Sequence, residues 1–296
     1  MEILNKLKSN ENLAIALGFF DGVHLGHKAV INAAVDYAKK NNIKSAVVTF
    51  RQSPYVALNN VKPNYIITLE EKIKAIKKLG VDYLYLSDFT EDLAKQTASD
   101  YLKNLVDDLH PKMIATGFNH YFGYNKSGGV DYLRLMQQEY EFKEINPIKL
   151  NEDVISSTAI RKALSNGDIP KANSMLGYRF YVKNEVIKGR QIGRTIGFKT
   201  ANLKMPEKMI NIPDGVYAVE VEVLGKKHMG IANFGSNPTV TDDSQKLLEV
   251  HIIDFNQDIY GELVKVSFLV KIRNEKKFQS LTELKAQIEK DIECLE

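Results

Sequence analysis

The chain has no tryptophan and a single cysteine, Cys294, in 296 residues. One thiol can build neither a disulfide framework nor a thiolate metal site. Long apolar runs are missing as well: no stretch approaches the roughly 20 residues that a membrane-spanning helix needs. The opening MEILNKLKSNENLAIALGFF puts acidic and polar groups ahead of a short apolar run. It has neither the basic start nor the longer apolar core of a secretion signal. A large charge of one sign is also absent, since 40 Lys and Arg against 37 Asp and Glu leave a net +3. That is too little for an extended nucleic-acid surface, though it suits a protein that handles anionic phosphates. These absences predict a cytoplasmic protein with neither membrane nor nucleic-acid partners. What remains, 44% hydrophobic and 26% charged residues, is the balance of an ordinary globular protein. At this length a single core usually gives way to two domains.

The first half alternates strand-like and helix-like segments. Leu13–Leu17 is a short apolar run ending at Gly18, followed by a helical pattern over residues 26–40. SAVVTF (45–50) reads as a buried strand, residues 69–79 as an amphipathic helix stopped by Gly80, and 83–86 as a further strand. Ala98–Leu109 is helical and 113–116 strand-like. Strands separated by helices of this length predict βαβ units and a parallel sheet covered on both faces, a Rossmann-like α/β domain. A short helix over 159–164 ends at a cluster of breakers, and the linker is expected within 165–177. Beyond residue 178 the period changes to two, as in YAVEVEV (217–223), LEVHIIDF (248–255) and VKVSFLVKI (264–272). That alternation predicts an antiparallel sheet closed into a small β-barrel, with a terminal helix over 280–296. The expected domains are 1–170 and 178–296.

The most informative decapeptide is GFFDGVHLGH (18–27). It lies between a predicted strand and a predicted helix, where open α/β sheets bind nucleotides. Gly22 and Gly26 let the backbone turn tightly and approach a phosphate. Two of the 6 histidines, His24 and His27, fall at the start of the helix, whose unpaired amides and dipole already favour an anion. Imidazoles there can stabilise the charge that develops as pyrophosphate leaves. Taken alone, the segment also reads as a strand-to-helix turn with solvated histidines. The H-x-G-H pattern resembles the nucleotidylyltransferase superfamily, and the whole decapeptide is similar to its FAD synthetase branch.

Two further segments carry that resemblance. ISSTAIR (155–161) is similar to the branch's I-S-S-T-x-I-R. Ser156, Ser157 and Thr158 are helix-capping types, and Arg161 supplies a fork of donors for phosphate. TGFNHYFG (116–123) is similar to the family's G-F-D/N-x-x-F-G, which implies that Asn119 contacts flavin or nucleotide. The resemblance implies adenylyl transfer from ATP to FMN, giving FAD and pyrophosphate. Gly18, Phe19, Asp21, Gly22, Asn119 and Ser156 would bind, and His24, His27, Ser157, Thr158 and Arg161 would assist the reaction. The family's T-F-x-P-H-P reads TFRQSP here (49–54), without its histidine.

In the second half, GRQIGRTIGFKTAN (189–202) resembles the riboflavin kinase pattern G-x-x-x-G-R-x-x-G-F-P-T-A-N. Gly193, Arg194 and Gly197 match, as do Thr200 and Asn202, which the resemblance makes ligands of Mg²⁺ and ATP phosphate. PDGVYA (213–218), NFGSNPT (233–239) and IRNEKKF (272–278) extend the match. Glu249 falls where that family places its catalytic base, and a carboxylate suits removal of a ribityl hydroxyl proton. The resemblance therefore implies a bifunctional enzyme with ATP, FMN and riboflavin as substrates. One departure is Lys199, which stands where the family has proline. Proline fixes φ and stiffens the loop presenting Thr200, so lysine predicts a weak kinase step. The competing readings are another small-molecule nucleotidylyltransferase, which the barrel argues against, and a flavin-binding regulatory protein without catalysis.

Overall fold

The computed structural model describes residues 1–137, 139–189, 197–236 and 246–295. The chain forms two compact units, Met1–Pro63 with Ile67–Ser157, and Asn64–Ile66 with Thr158–Glu296.

The first unit begins with β1 (Glu2–Leu4) and the fully buried β2 (Leu13–Leu17), then α1 (Leu25–Asn41), β3 (Lys44–Phe50) and α2 (Pro54–Asn59). There follow α3 (Leu69–Lys78), β4 (Tyr83–Ser87), α4 (Glu91–Lys95), α5 (Ala98–Leu109) and β5 (Pro111–Gly117). A two-strand ribbon, β6 (Tyr121–Phe122) with β7 (Gly128–Gly129), leads to α6 (Val130–Leu135) and β8 (Glu141–Ile145). A short hairpin, β9 (Lys149–Leu150) with β10 (Asp153–Val154), ends the unit. The main sheet has the order β1-β4-β3-β2-β5-β8, and every pair is parallel. Ile15, at its centre, lies between Ala46 and Ile114. Alternation along β2 serves both faces. Leu13, Ile15 and Leu17 pack in one cluster with Leu102, Leu105 and Leu109 of α5. Ala14 and Ala16 point the other way, where small side chains let α1 lie close on β2, β3 and β5.

Connections leave β2 towards β3 on one side and reach β5 on the other, so the strand order reverses between β2 and β5. The crevice beyond the carboxyl ends of those strands is where sheets of this type bind ligands.

In the second unit, α7 (Ser157–Ser165, whose first residue belongs to the first unit) and α8 (Ile169–Leu176) precede a six-stranded antiparallel sheet. The segment expected as a linker is therefore helical. Asp168 caps α8, Gly177 ends it in the left-handed region, and Ile169, Ala172, Met175 and Leu176 are buried. Asn173 fixes it further, donating to Phe268 O and accepting from Phe180 N. The strands are β11 (Tyr181–Glu185), β12 (Thr200–Lys204), β13 (Gly215–Val223), β14 (Lys226–Ser236), β15 (Lys246–Ile252) and β16 (Leu263–Arg273). Their order is β11-β16-β13-β14-β15-β12. A bridge from Ile187 to Asn202, with the Ile187 N–H 2.8 Å from Asn202 O, nearly closes the ring. β13 and β14 meet at Leu224 and Gly225, both at positive φ (49° and 74°), the tight-hairpin geometry that matches strand twist. The terminal helix α9 (Leu281–Glu293) is held by Asp291, which accepts from Arg273 Nε and Nη2 at 2.8–3.0 Å.

Candidate active site

At the carboxyl end of β2 the backbone makes a compact, unusual turn. Phe20 (φ 57°), Gly22 (φ 82°) and Val23 (φ 37°) all lie in the left-handed region, although Phe20 and Val23 carry side chains. Such residues each cost about 1–2 kcal/mol, and persist where packing over-determines them. Here both side chains are buried. Gly18 makes room for this: a Cβ there would stand 2.8 Å from Phe20 Cζ.

His24 is the N-cap of α1, and its Nδ1 accepts from His27 N–H at 3.3 Å. That bond leaves Nε2 as the proton-bearing nitrogen, a donor. The two imidazoles stack with centroids 3.5 Å apart and planes 20° apart. Phe20 meets His27 edge-on at 5.3 Å. Gly26 accommodates the His24 ring, whose Cε1 would be 3.1 Å from a Cβ. The first turn of α1 has no acidic residue. Asp21 and His24 are only 3% and 4% exposed. Ser157 Oγ donates to Asp21 O at 3.0 Å, which ties the ISSTAIR segment to this turn.

The structure thus brings Gly18, Phe19, Asp21, Gly22, His24, His27 and Ser157 together, with Ser156 preceding Ser157 in the chain. The helix opens at Ser157, two residues earlier than expected from the capping pattern. Thr158 and Arg161 fall in the second unit, where Arg161 Nε donates to Asn64 O at 3.0 Å. Asn119 follows β5, the other strand of the switch point, and its Oδ1 would lie 3.6 Å from a Cβ on Gly117. Its neighbour His120 was not singled out by sequence. The His120 Nε2 is buried without a partner among the described residues. Burial pushes this imidazole down to about 4, so it is neutral at pH 7.

Sequence reading also missed Lys72. Thr68 caps α3, accepting from Glu71 N–H, and Lys72 lies four residues before Ile76 on the buried face. Its Nζ donates to Phe50 O (2.8 Å) and Phe19 O (3.1 Å) and approaches Thr49 Oγ1 (3.4 Å). Thr49 Oγ1 itself donates to Phe19 O at 3.0 Å. Burial pushes the ammonium down to about 8, against the pull of the Asp21 charge. The signal was available: a lysine at the inner-face spacing of an amphipathic helix. Downstream of Thr49 and Phe50, Ser53 of TFRQSP is the N-cap of α2 and Pro54 lies at its first turn.

In the second unit, β12, β15 and β14 set three polar residues in one row. Asn202 pairs with Glu249, and Glu249 with Asn233 on its other side. Directly opposed residues share a face, with Cβ atoms about 4.5–5.5 Å apart. Asn202 is 4% exposed because residue 189 covers it; a Cβ on Gly189 would reach 2.3 Å from its Nδ2. Thr200 lies two residues along the same face, opposite His251. Thr200 and Asn202 offer neutral oxygens, which suit a hard Mg²⁺ that keeps most of its waters. Among the described residues no group of three or more His, Cys, Asp or Glu could hold a metal.

Lys199 is tied at both ends. Its carbonyl lies 2.9 Å from His251 Nδ1, and its Nζ donates to Asn256 O at 3.4 Å. A cavity of about 140 Å³ opens beside it, lined by Lys199, Thr200, Val250, Phe255, Asn256 and Tyr260 among others. Gly197 has φ 90°. Gly193 and Arg194 lie outside the described residues, as does the end of NFGSNPT.

Comparison with known proteins agrees with this division. Residues 6–159 match the FAD synthetase family and residues 176–296 the riboflavin kinase family. A bifunctional riboflavin kinase/FMN adenylyltransferase of Listeria monocytogenes is 38% identical over 95% of this chain and 90% of its own. The Haemophilus influenzae protein of the same description is 39% identical over 96% and 93%. A crystal structure described as a macrolide-efflux protein from Streptococcus pneumoniae superposes with TM-score 0.90 at 34% identity, covering 98% of this chain and 97% of that one. Among the described residues here, no helix is long and apolar enough to cross a membrane.

Proposed function

The chain belongs to the bifunctional riboflavin kinase/FMN adenylyltransferase family, and from that premise we propose that its two units act in succession. The second unit phosphorylates riboflavin with ATP; the first joins the resulting FMN to the AMP part of a second ATP. We assign the nucleotidyltransferase domain to residues 1–170 and the kinase domain to 178–296. The observation that carries the first assignment is the stacked His24–His27 pair on the amino end of α1, at the carboxyl edge of a parallel sheet.

In adenylyl transfer, an FMN phosphate oxygen attacks the α-phosphorus of ATP. A new P–O bond forms, the bond to the β-phosphate oxygen breaks, and pyrophosphate leaves. Catalysis is positioning plus charge stabilisation. The α1 amides, His24 Nε2–H and His27 hold the charge that builds on the leaving oxygens. Ser157, Thr158 and Arg161 bind the terminal phosphates, and Asn119, across the crevice after β5, contacts flavin or base. Gly18, Phe19, Asp21, Gly22 and Ser156 shape the cradle.

In the kinase step, Glu249 accepts the proton of the ribityl hydroxyl as that oxygen attacks the γ-phosphorus and ADP leaves. Thr200 and Asn202 would hold Mg²⁺, which when bound offsets the phosphate charge. By the family pattern, Gly193, Arg194 and Gly197 would add contacts to phosphate. Because Lys199 is bonded at both ends, we read this unit as an active kinase and set aside the expectation of a weak one. A flavin-binding protein without catalysis is not favoured, since relatives matched over most of the chain are described as bifunctional riboflavin kinase/FMN adenylyltransferases. The direct test supplies FMN, ATP and Mg²⁺ and follows pyrophosphate: stoichiometric release with FAD supports the assignment, and no release refutes it.

A further inference from the structure

We propose that Lys72 is a positioning residue for adenylyl transfer: its ammonium ties the carboxyl ends of β2 and β3 together and so holds the Phe20 turn that seats His27. The inference rests on the reading of the first unit as an adenylyltransferase.

A buried ammonium is costly, and a packed apolar side chain would fill the same space without that cost. What Lys72 does instead is gather acceptors from two strands. Phe50 O ends β3, Thr49 Oγ1 precedes it, and Phe19 O lies just past β2. The Phe19 ring also lies 4.3 Å from Nζ, and the field of the buried Asp21 carboxylate reaches it. Phe19 O receives two donors, Lys72 Nζ and Thr49 Oγ1. The peptide so held is the one immediately before Phe20, whose φ of 57° needs outside support. Phe20 in turn places its ring edge-on to His27. Lys72 therefore acts on His27 through Phe19 and Phe20.

This makes a specific demand on kinetics. A misplaced transition-state donor lowers kcat while leaving ground-state binding nearly intact, and an error of about 1 Å costs on the order of 10²-fold. The full chain contains its own control, since Lys72 has no part in the kinase machinery. Lys72→Met should lower kcat for FAD formation from FMN and ATP by roughly 10–10²-fold with KM little changed. FMN formation from riboflavin by the same preparation should hold. Lys72→Arg, which keeps a cation and several donors, should recover part of the lost kcat. The inference is overturned if Lys72→Met keeps wild-type FAD synthesis, or if both activities and the melting temperature fall together in both variants. Failure of the wild-type chain to form any FAD would instead overturn the adenylyltransferase reading itself.

Discussion

Replacing Gly18 by alanine puts the geometry of the β2–α1 turn under direct strain. The new Cβ would stand 2.8 Å from Phe20 Cζ and 2.9 Å from Cε1. Carbon atoms prefer about 3.5–4.0 Å, so the ring must retreat by roughly 0.7 Å or more. It has little freedom to do so: Phe20 is 2% exposed and its backbone is already in the left-handed region. Overpacking of this kind costs about 1–3 kcal/mol, which in a unit of this size lowers the melting temperature by roughly 2–12 °C. The ring that retreats is the one supporting His27, so FAD formation should fall by on the order of 10²-fold. Gly117→Ala is the matched control, because its Cβ meets nothing closer than 3.6 Å; it should change stability by no more than about 0.5 kcal/mol. The assay pairs thermal melting with chromatographic measurement of FAD. Wild-type activity and melting in Gly18→Ala would refute the packing argument.

Lys72 also predicts a pH dependence of stability. Its folded-state pKa, about 8, lies below the ordinary 10.5. The unfolded chain therefore binds more protons between those values, and stability should rise with pH through that window. Comparing melting temperatures of wild type and Lys72→Met at pH 7 and pH 9.5, the wild type should gain on the variant at the higher pH; a constant difference would contradict this. Lys199→Ala should lower FMN formation from riboflavin several-fold by freeing the loop from Asn256, on the ordinary scale of a lost charge-assisted bond, and should leave FAD formation from FMN unchanged. Equal kinase rates would show that the Lys199 tether has no function.

Much of the fold could be read from the chain because local patterns and tertiary environment agree. LAIAL, buried on both faces, and the amphipathic Ala98–Leu109 helix needed no tertiary information. The change to period two at the second unit marked an antiparallel barrel for the same reason. What was not legible depends on contacts between distant segments. The helix at Ile169–Leu176 was not legible because Asn166, Gly167, Asp168 and Pro170 look like breakers, whereas Asp168 is its cap and Pro170 lies in its first turn. Lys72 was passed over because its partners, Phe19, Thr49 and Phe50, come from the turn after β2 and from the end of β3. The contacts of Lys199 were hidden for a related reason. Its missing proline is visible in sequence, but the compensating bonds to His251 and Asn256 lie more than fifty residues away.

The central claim, one chain performing two successive transfers, is tested most directly by supplying riboflavin, ATP and Mg²⁺ and following the flavins with time. Wild type should pass riboflavin through FMN to FAD, releasing ADP and then pyrophosphate. His27→Ala should stop at FMN, its adenylyl transfer reduced by about 10²–10³-fold. Glu249→Gln should fail at the first step yet convert added FMN to FAD normally. Riboflavin left unchanged by the wild type, or FAD formed at the wild-type rate by His27→Ala, would contradict the account.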